Sequence, residues 1–211
     1  MKLRWKIAQA AEIRWWKRYL KDKIPEEYRS AKSHYWKRIL AELKPSLLPL
    51  GRILDAGCGP AGIFMVLPDE EVTAIDPLLA QYERDLPHFS KSDYPWVNFE
   101  CTSIEAFGAT KPYDTIFCLN AINHVNAIDK SLDVLFENLK EGGQLIISTD
   151  AHKYSFLKKI FQWLPGDILH PHQYDTKEYT EMLTKRGGEI VRTITSKSGK
   201  IFDYVVFVVR V

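Results

Sequence analysis

A mixed α/β fold is what this sequence predicts: a seven-stranded, mostly parallel sheet with an antiparallel C-terminal hairpin and an N-terminal helical cap. Three observations carry the prediction. From Gly51 onward, short runs rich in Ile, Val, Leu and Phe alternate with helix-patterned stretches, the pattern of parallel strands joined by right-handed crossovers. The last two strand-like runs are separated only by a tight turn, so they pair antiparallel. The first 44 residues carry helical periodicity.

In the head, Ile13, Trp16 and Leu20 mark one face of a first helix, and Trp15 and Tyr19 mark another. Such a helix packs on the body and also lines something. Pro25 occupies a tolerated first helical position, and Glu26 and Glu27 suit the positive end of a second helix. Tyr28, Ala31, Tyr35, Ile39 and Leu43 follow at spacings of three and four, with Trp36 and Leu40 widening the stripe. Lys44-Pro45-Ser46 and Pro49 break the pattern, so residues 1–47 read as a cap and 48–211 as the main domain.

Strands are predicted at Arg52–Ala56, Glu71–Asp76, Val97–Cys101, Asp114–Asn120 and Gln144–Thr149. Between them, Ala61–Leu67, Leu78–Leu86 and Asp129–Leu139 read as helices. An irregular insertion, Ala151–His172, precedes a helix at Thr176–Lys185. The final strands, Glu189–Ser196 and Phe202–Arg210, flank the turn Lys197-Ser198-Gly199-Lys200.

Composition narrows the function. The chain has 211 residues, 45% hydrophobic and 27% charged, which excludes a disordered or fibrous protein. The net charge of +2 hides a division: residues 1–50 carry 13 Lys/Arg against 5 Asp/Glu, and residues 51–211 carry 16 against 22. The longest apolar run, Tyr204–Val209, is far short of the ~20 residues a membrane helix needs. Charges scattered through the N-terminus argue against a secretory signal, and the Trp-Trp pair argues against a mitochondrial presequence. Cys58, Cys101 and Cys118 are odd in number and lack ligand spacing, which points to a reducing cytoplasm and to neither disulfides nor structural zinc.

The most informative stretch is Leu54-Asp55-Ala56-Gly57-Cys58-Gly59-Pro60-Ala61-Gly62. Glycines here let a ligand approach main-chain N–H groups with no Cβ in the way. Gly57, Gly59 and Gly62 satisfy G-x-G-x-x-G, a weak pattern alone. Asp76, closing the next strand, strengthens it, because a carboxylate there can accept both ribose hydroxyls of a nucleoside. Ribose alone does not separate a nicotinamide cofactor from S-adenosylmethionine.

The surrounding residues do separate them. The run Leu54–Gly59 resembles motif I of class I S-adenosylmethionine-dependent methyltransferases, in which an acidic residue precedes the first glycine. Val72–Asp76, Cys101–Glu105, Tyr113–Asn120 with Asn123-His124-Val125, and Leu139–Ile147 are similar to that family's later motifs, in family order. The resemblance implies a Rossmann-like fold, S-adenosylmethionine as cofactor, and methyl transfer to an acceptor with no metal. It implies cofactor contacts from Asp55, Ala56, Gly57, Cys58, Gly59, Asp76, Pro77, Thr102, Ser103, Ile104, Leu119 and Asn120. Thr102 and Ser103 depart from the family's usual Asp or Asn at the adenine edge.

Methyl transfer asks the protein to align the acceptor, exclude water and, for a hydroxyl or amine acceptor, accept a proton. Ligands of open α/β sheets bind above the C-terminal strand ends. That makes His124, just after the fourth strand, and His172, just before the Thr176–Lys185 helix, the candidate bases. Either one is also readable as a structural or solvent-facing histidine. The insertion Tyr154–Leu169, carrying Phe156, Phe161 and Trp163, reads as a flap or as a surface helix.

Trp5, Trp15, Trp16 and Trp36 lie in the basic head. The favoured expectation is a lid over a small-molecule acceptor, or a plain helical cap. RNA binding, with tRNA as a methyl acceptor, is the alternative, since Lys/Arg attract phosphates and rings stack on bases. Rest on an anionic membrane surface is a further one. A non-catalytic S-adenosylmethionine or nucleotide binder is the reading from a different class. The sequence leaves the oligomeric state open.

Overall fold

A computed structural model describes residues 2–152, 174–199 and 202–211. Seven strands form one sheet in the order β3-β2-β1-β4-β5-β7-β6. In chain order they are β1 (Arg52–Ala56), β2 (Glu71–Ile75), β3 (Val97–Glu100), β4 (Tyr113–Leu119), β5 (Leu139–His152), β6 (Glu189–Ser198) and β7 (Phe202–Arg210). The first five run parallel, in registers such as Ile53↔Val72, Leu54↔Ile116 and Ile116↔Leu145. β7 alone is reversed and pairs antiparallel with β5 on one side and β6 on the other, with Ile147↔Phe207 and Ile194↔Val206. Strand order reverses between β1 and β4, which opens a crevice at their C-terminal ends.

Side-chain alternation divides the core in two. Ile53, Phe117, Ile146, Val206 and Val208 face one side, with helices α1 (Lys2–Leu20), α2 (Pro25–Leu43) and α3 (Leu79–Asp85). Their neighbours Leu54, Ile116, Leu145, Ile147 and Phe207 face the other, with α4 (Ile128–Glu137) and α5 (Thr176–Thr184). Period two puts consecutive residues on opposite faces, so a sheet buried on both sides needs unbroken apolar runs.

The two head helices are built into the first layer. α2 buries Tyr28, Trp36, Ile39 and Leu43, each aliphatic among them contributing roughly 1.5–3 kcal/mol. Below α2, Gln144 bonds Leu48 twice, accepting from its N–H at 2.9 Å and donating to its carbonyl at 3.1 Å, and donates to Thr115 Oγ1 at 3.0 Å. These bonds sew the connection from α2 to β1 onto the sheet. α1 packs Ile13 and Leu20 into the same core and reaches α3 through Lys17 and Asp85, 3.1 Å apart.

The expected helix at Ala61–Leu67 is instead a short 3-10 turn, Ile63–Val66. Pro60 and Pro68 bracket the segment, and Gly62 interrupts it, so too few residues remain for an α-helical nucleus. The buried Asp55 carboxylate accepts the Phe64 N–H at 3.1 Å and caps the turn. β5 is longer than expected at both ends: it starts at Leu139, with a register shift over Gly142 and Gly143 between Tyr113↔Leu139 and Thr115↔Gln144, and it runs on to His152 along β7. α4 ends at Glu137, where Asn138 turns its side chain back to the Val134 carbonyl at 2.7 Å.

Candidate functional site

The C-terminal strand ends and the two head helices enclose a cavity of about 830 Å³. Its floor begins at the glycine loop. Gly57 and Gly59 have φ of 71° and 57°, the left-handed region that a Cβ disfavours. The N–H groups of Gly57 and Cys58 both donate to the Ile75 carbonyl, at 2.8 and 3.1 Å, so the loop is folded back onto β2. A Cβ on Gly57 would collide with Ala121, whereas in front of Gly59 the space is open to the Trp16 ring, 4.0 Å away. Gly57 is therefore needed for packing and Gly59 for access.

Asp76, only 7% exposed, stands at the end of β2. Its Oδ1 accepts the Leu78 N–H at 2.8 Å and its Oδ2 accepts the Gly59 N–H at 3.1 Å. Burial pushes its carboxyl up to about 7, the charge of Glu12 on α1 adds to the rise, and the two backbone donors oppose it. Glu12 accepts the Tyr82 hydroxyl at 2.9 Å and lines the cavity beside Asp76.

Beyond Asp76, Pro77, Ser103 and Ile104 line the cavity together with Cys58 and Gly59. Thr102 is not in the lining, and its hydroxyl donates to the Ser103 carbonyl. Asp55 and Ala56 are buried behind the loop and likewise do not reach the cavity surface. Burial pushes Asp55 up to about 7, against the N–H groups of Phe64 and Ile63 that it accepts.

The middle of the cavity is formed after β4 by Leu119, Asn120, Ala121 and His124. Asn120 has φ of 55°, the sole non-glycine residue in the left-handed region among the described residues. Its N–H donates to the Ser148 carbonyl at 3.1 Å and to the Ser148 hydroxyl at 3.0 Å. Strain held in this way is characteristic of ligand sites. Glu105 accepts the N–H groups of Asn126 and Ala127 at 2.8 and 3.2 Å, which pins the turn that carries His124. Asn123 is buried with Oδ1 lacking a partner and does not line the cavity. His172 and the Tyr154–Leu169 segment lie outside the described residues.

The far wall comes from places the motifs do not mark: Lys32, Tyr35 and Arg38 on α2, Asp150 on β5 and Tyr204 on β7. Asp150 and Tyr204 are register partners. The Tyr204 hydroxyl bonds Ser148 and also Tyr35, and burial raises both phenols above their ordinary range. α1 supplies the roof through Trp15, Trp16 and Tyr19. Trp15 and Tyr19, 47% and 40% exposed, stack with ring centroids 4.9 Å apart. A helix with aromatic residues on two faces was the available signal for the roof. For Tyr35, Tyr204 and Asp150, whose meeting depends on the tertiary fold, there was none.

Residues 27–193 match a family model described as a methyltransferase domain. The chain is 32% identical over 152 residues to a ubiquinone biosynthesis O-methyltransferase of Rickettsia typhi (strain ATCC VR-144 / Wilmington), a match covering 66% of this chain and 60% of that protein. The chain spans about 60% of the length of the curated relatives it matches. Its fold is similar to that of the N-methyltransferase NodS from Bradyrhizobium japonicum WM9, with a TM-score of 0.60 and 15% identity over 90% of this chain and 98% of that one. It is similar also to the cyclase SpnF, with a TM-score of 0.62 and 14% identity over 84% of this chain and 80% of that one.

Proposed function

The chain belongs to the class I S-adenosylmethionine-dependent methyltransferase family, and we propose that it binds S-adenosylmethionine in this cavity and methylates a small-molecule acceptor. The observation that carries the reading is Asp76, set at the cavity edge and tied to the Gly59 N–H. A carboxylate offers about four acceptor positions, so after taking two backbone donors Asp76 still has capacity for a ribose diol. Gly59, open in front, leaves room for the ligand to approach the loop. Ser103 and Ile104 flank the end that takes the adenine. The bound cofactor supplies an electrophilic methyl group on a sulfonium.

The remaining work falls to the protein's own groups. Leu119 and Asn120 form the floor under the reacting centre, and His124 accepts the acceptor's proton. α1 and α2 act as the lid, with Trp15 and Trp16 excluding water and presenting ring faces that favour a cation. The acceptor is small because it shares an 830 Å³ cavity with the cofactor. Among the described residues no helix is long and apolar enough to cross a membrane. With three free cysteines, Cys58, Cys101 and Cys118, a reducing cytoplasm is the compartment that suits the chain.

Calorimetry with S-adenosylmethionine and S-adenosylhomocysteine tests the reading. Both should bind, and absence of binding at millimolar ligand would sink it. The likeness to SpnF supports a second reading, cofactor binding without methyl transfer, because a protein of this fold is named a cyclase. Turnover on a panel of hydroxyl- and amine-bearing acceptors separates the two.

A further inference from the structure

α1 carries the bases Lys2, Arg4, Lys6, Arg14, Lys17 and Arg18 and a single acid, Glu12. That acid is turned inward. Glu12 is half-buried, lines the cavity and accepts the Tyr82 hydroxyl at 2.9 Å. Tyr82 is fully buried on α3, the helix that follows Asp76, so the bond sets Glu12 beside the end of β2. Its charge acts there, helping to raise both the Asp76 carboxyl and the Tyr82 phenol. Trp16, one turn further along α1, covers Gly59. Glu12 thus adds a second carboxylate to the loop end of the cavity, and it arrives on the roof.

The glycine loop supplies no counterweight. Loops of this pattern hold phosphate through free main-chain N–H groups at a helix N-terminus. Here the Gly57 and Cys58 N–H groups are taken by the Ile75 carbonyl, and the Gly59 N–H by Asp76. The N–H groups of Ile63 and Phe64, which open the turn after the loop, go to the Asp55 carboxylate. These donors are spent on the protein's own acceptors. Among the described residues the charged lining is Glu12, Asp76, Glu105 and Asp150 against Lys32 and Arg38, and both cations belong to α2 on the far wall. Charge acts more strongly where water is excluded.

We propose that Glu12 is a specificity-determining residue: with Asp76, it makes the loop end select a nucleoside with a positive 5′ substituent and reject one with a phosphate there. The inference deepens the cofactor reading and rests on it. The sulfonium of S-adenosylmethionine is cationic and is attached to the 5′ carbon. Adenine nucleotides share the adenosine but carry phosphate on that carbon. Once the methyl group has left, sulfur keeps the bonding pair and is neutral, so the same field holds the product less tightly than the cofactor.

Two ligand pairs that differ chiefly in 5′ charge decide: S-adenosylmethionine with S-adenosylhomocysteine, and adenosine with its 5′-monophosphate. Each is titrated calorimetrically at pH 8, where Asp76 is ionised, into wild type and Glu12→Gln, which keeps an acceptor for Tyr82. In the variant, the preference for S-adenosylmethionine over S-adenosylhomocysteine falls at least about fivefold, and the preference for adenosine over its monophosphate falls by a similar factor. S-adenosylhomocysteine and adenosine, neutral at the 5′ position, bind wild type and variant alike, which also shows that the variant folds. A shift of all four ligands by one factor reduces Glu12 to a structural tie to Tyr82 and overturns the proposal. Unchanged preferences in the variant overturn it too. Wild-type protein that binds neither S-adenosylmethionine nor S-adenosylhomocysteine overturns the cofactor reading itself, and this charge filter with it.

Discussion

The two ends of the cavity are made by different means. At the β1–β2 end, backbone N–H groups are the donors: Gly57 and Cys58 donate to the Ile75 carbonyl, and the one side chain involved, the Asp76 carboxylate, accepts from Gly59 and Leu78. At the α2 end, side chains do the holding, through Tyr35, Tyr204 and Ser148, and through the Trp36 indole, which donates to the Ala61 carbonyl at 2.9 Å. A backbone-built site constrains a few residues in one short stretch and tolerates change elsewhere. A side-chain-built wall changes with every substitution on its helix while the fold stays the same. The first kind suits a common cofactor, and the second suits a ligand that differs from one relative to the next.

The contrast can be broken at either end. Asp76→Ala should have the largest effect, lowering affinity for S-adenosylhomocysteine by about a hundredfold, since two charge-assisted hydrogen bonds to the diol are lost. Unchanged affinity in calorimetry would remove Asp76 from the ribose site.

The next effect is on the ligand-free protein's stability. Burial pushes Asp55 up to about 7, whereas in the unfolded chain it titrates near 4. Between these values the native state keeps a proton that the unfolded state has released, so stability falls as pH rises towards 7 and levels off above it. Asp55→Asn should remove this contribution and leave that of Asp76, which burial also pushes up to about 7. Thermal unfolding of the two proteins from pH 5 to 8 should diverge by on the order of 2 kcal/mol in favour of the variant at high pH. Parallel curves would mean that Asp55 is ionised in both states alike.

Trp36→Phe sharpens the comparison with the smallest change. It keeps a ring in the core and deletes the indole donor to Ala61, at a cost of about 1 kcal/mol. S-adenosylhomocysteine binding should weaken only a few-fold. A loss as large as that of Asp76→Ala would show that the backbone-built end depends on α2 for its shape.

Local signals made the strands and the loop readable before any coordinates. Apolar runs bounded by glycine, proline or aspartate placed β1 and β7 at their observed limits. The glycine pair needed no tertiary information, because positive φ is nearly a glycine property. Apolar content suggested a helix at Ala61–Leu67, but Gly62 and the flanking prolines left a 3-10 turn. Gly142 and Gly143 read as a strand boundary and are a shift inside β5. Thr102 and Ser103 were equivalent as adjacent hydroxyls, and only the fold turns one into the cavity lining and the other towards a carbonyl. Tyr35 belonged to an apolar stripe by spacing alone, and nothing local announces that it meets Tyr204.

The bonds between Gln144 and Leu48 carry a mechanical meaning. They clamp the chain just beyond α2 to the base of the sheet, and Arg192 adds bonds to the Glu42 carbonyl and the Ser46 hydroxyl, each at 3.1 Å. α2 is thereby a fixed post. α1 is tied to α3 through Lys17 to Asp85 and through the Tyr82 hydroxyl to Glu12, and is joined to α2 through the turn at Lys21–Lys23. If the roof swings to admit a ligand, that turn is the hinge, and Trp15, Trp16 and Tyr19 travel with the door while Lys32, Tyr35 and Arg38 stay with the frame.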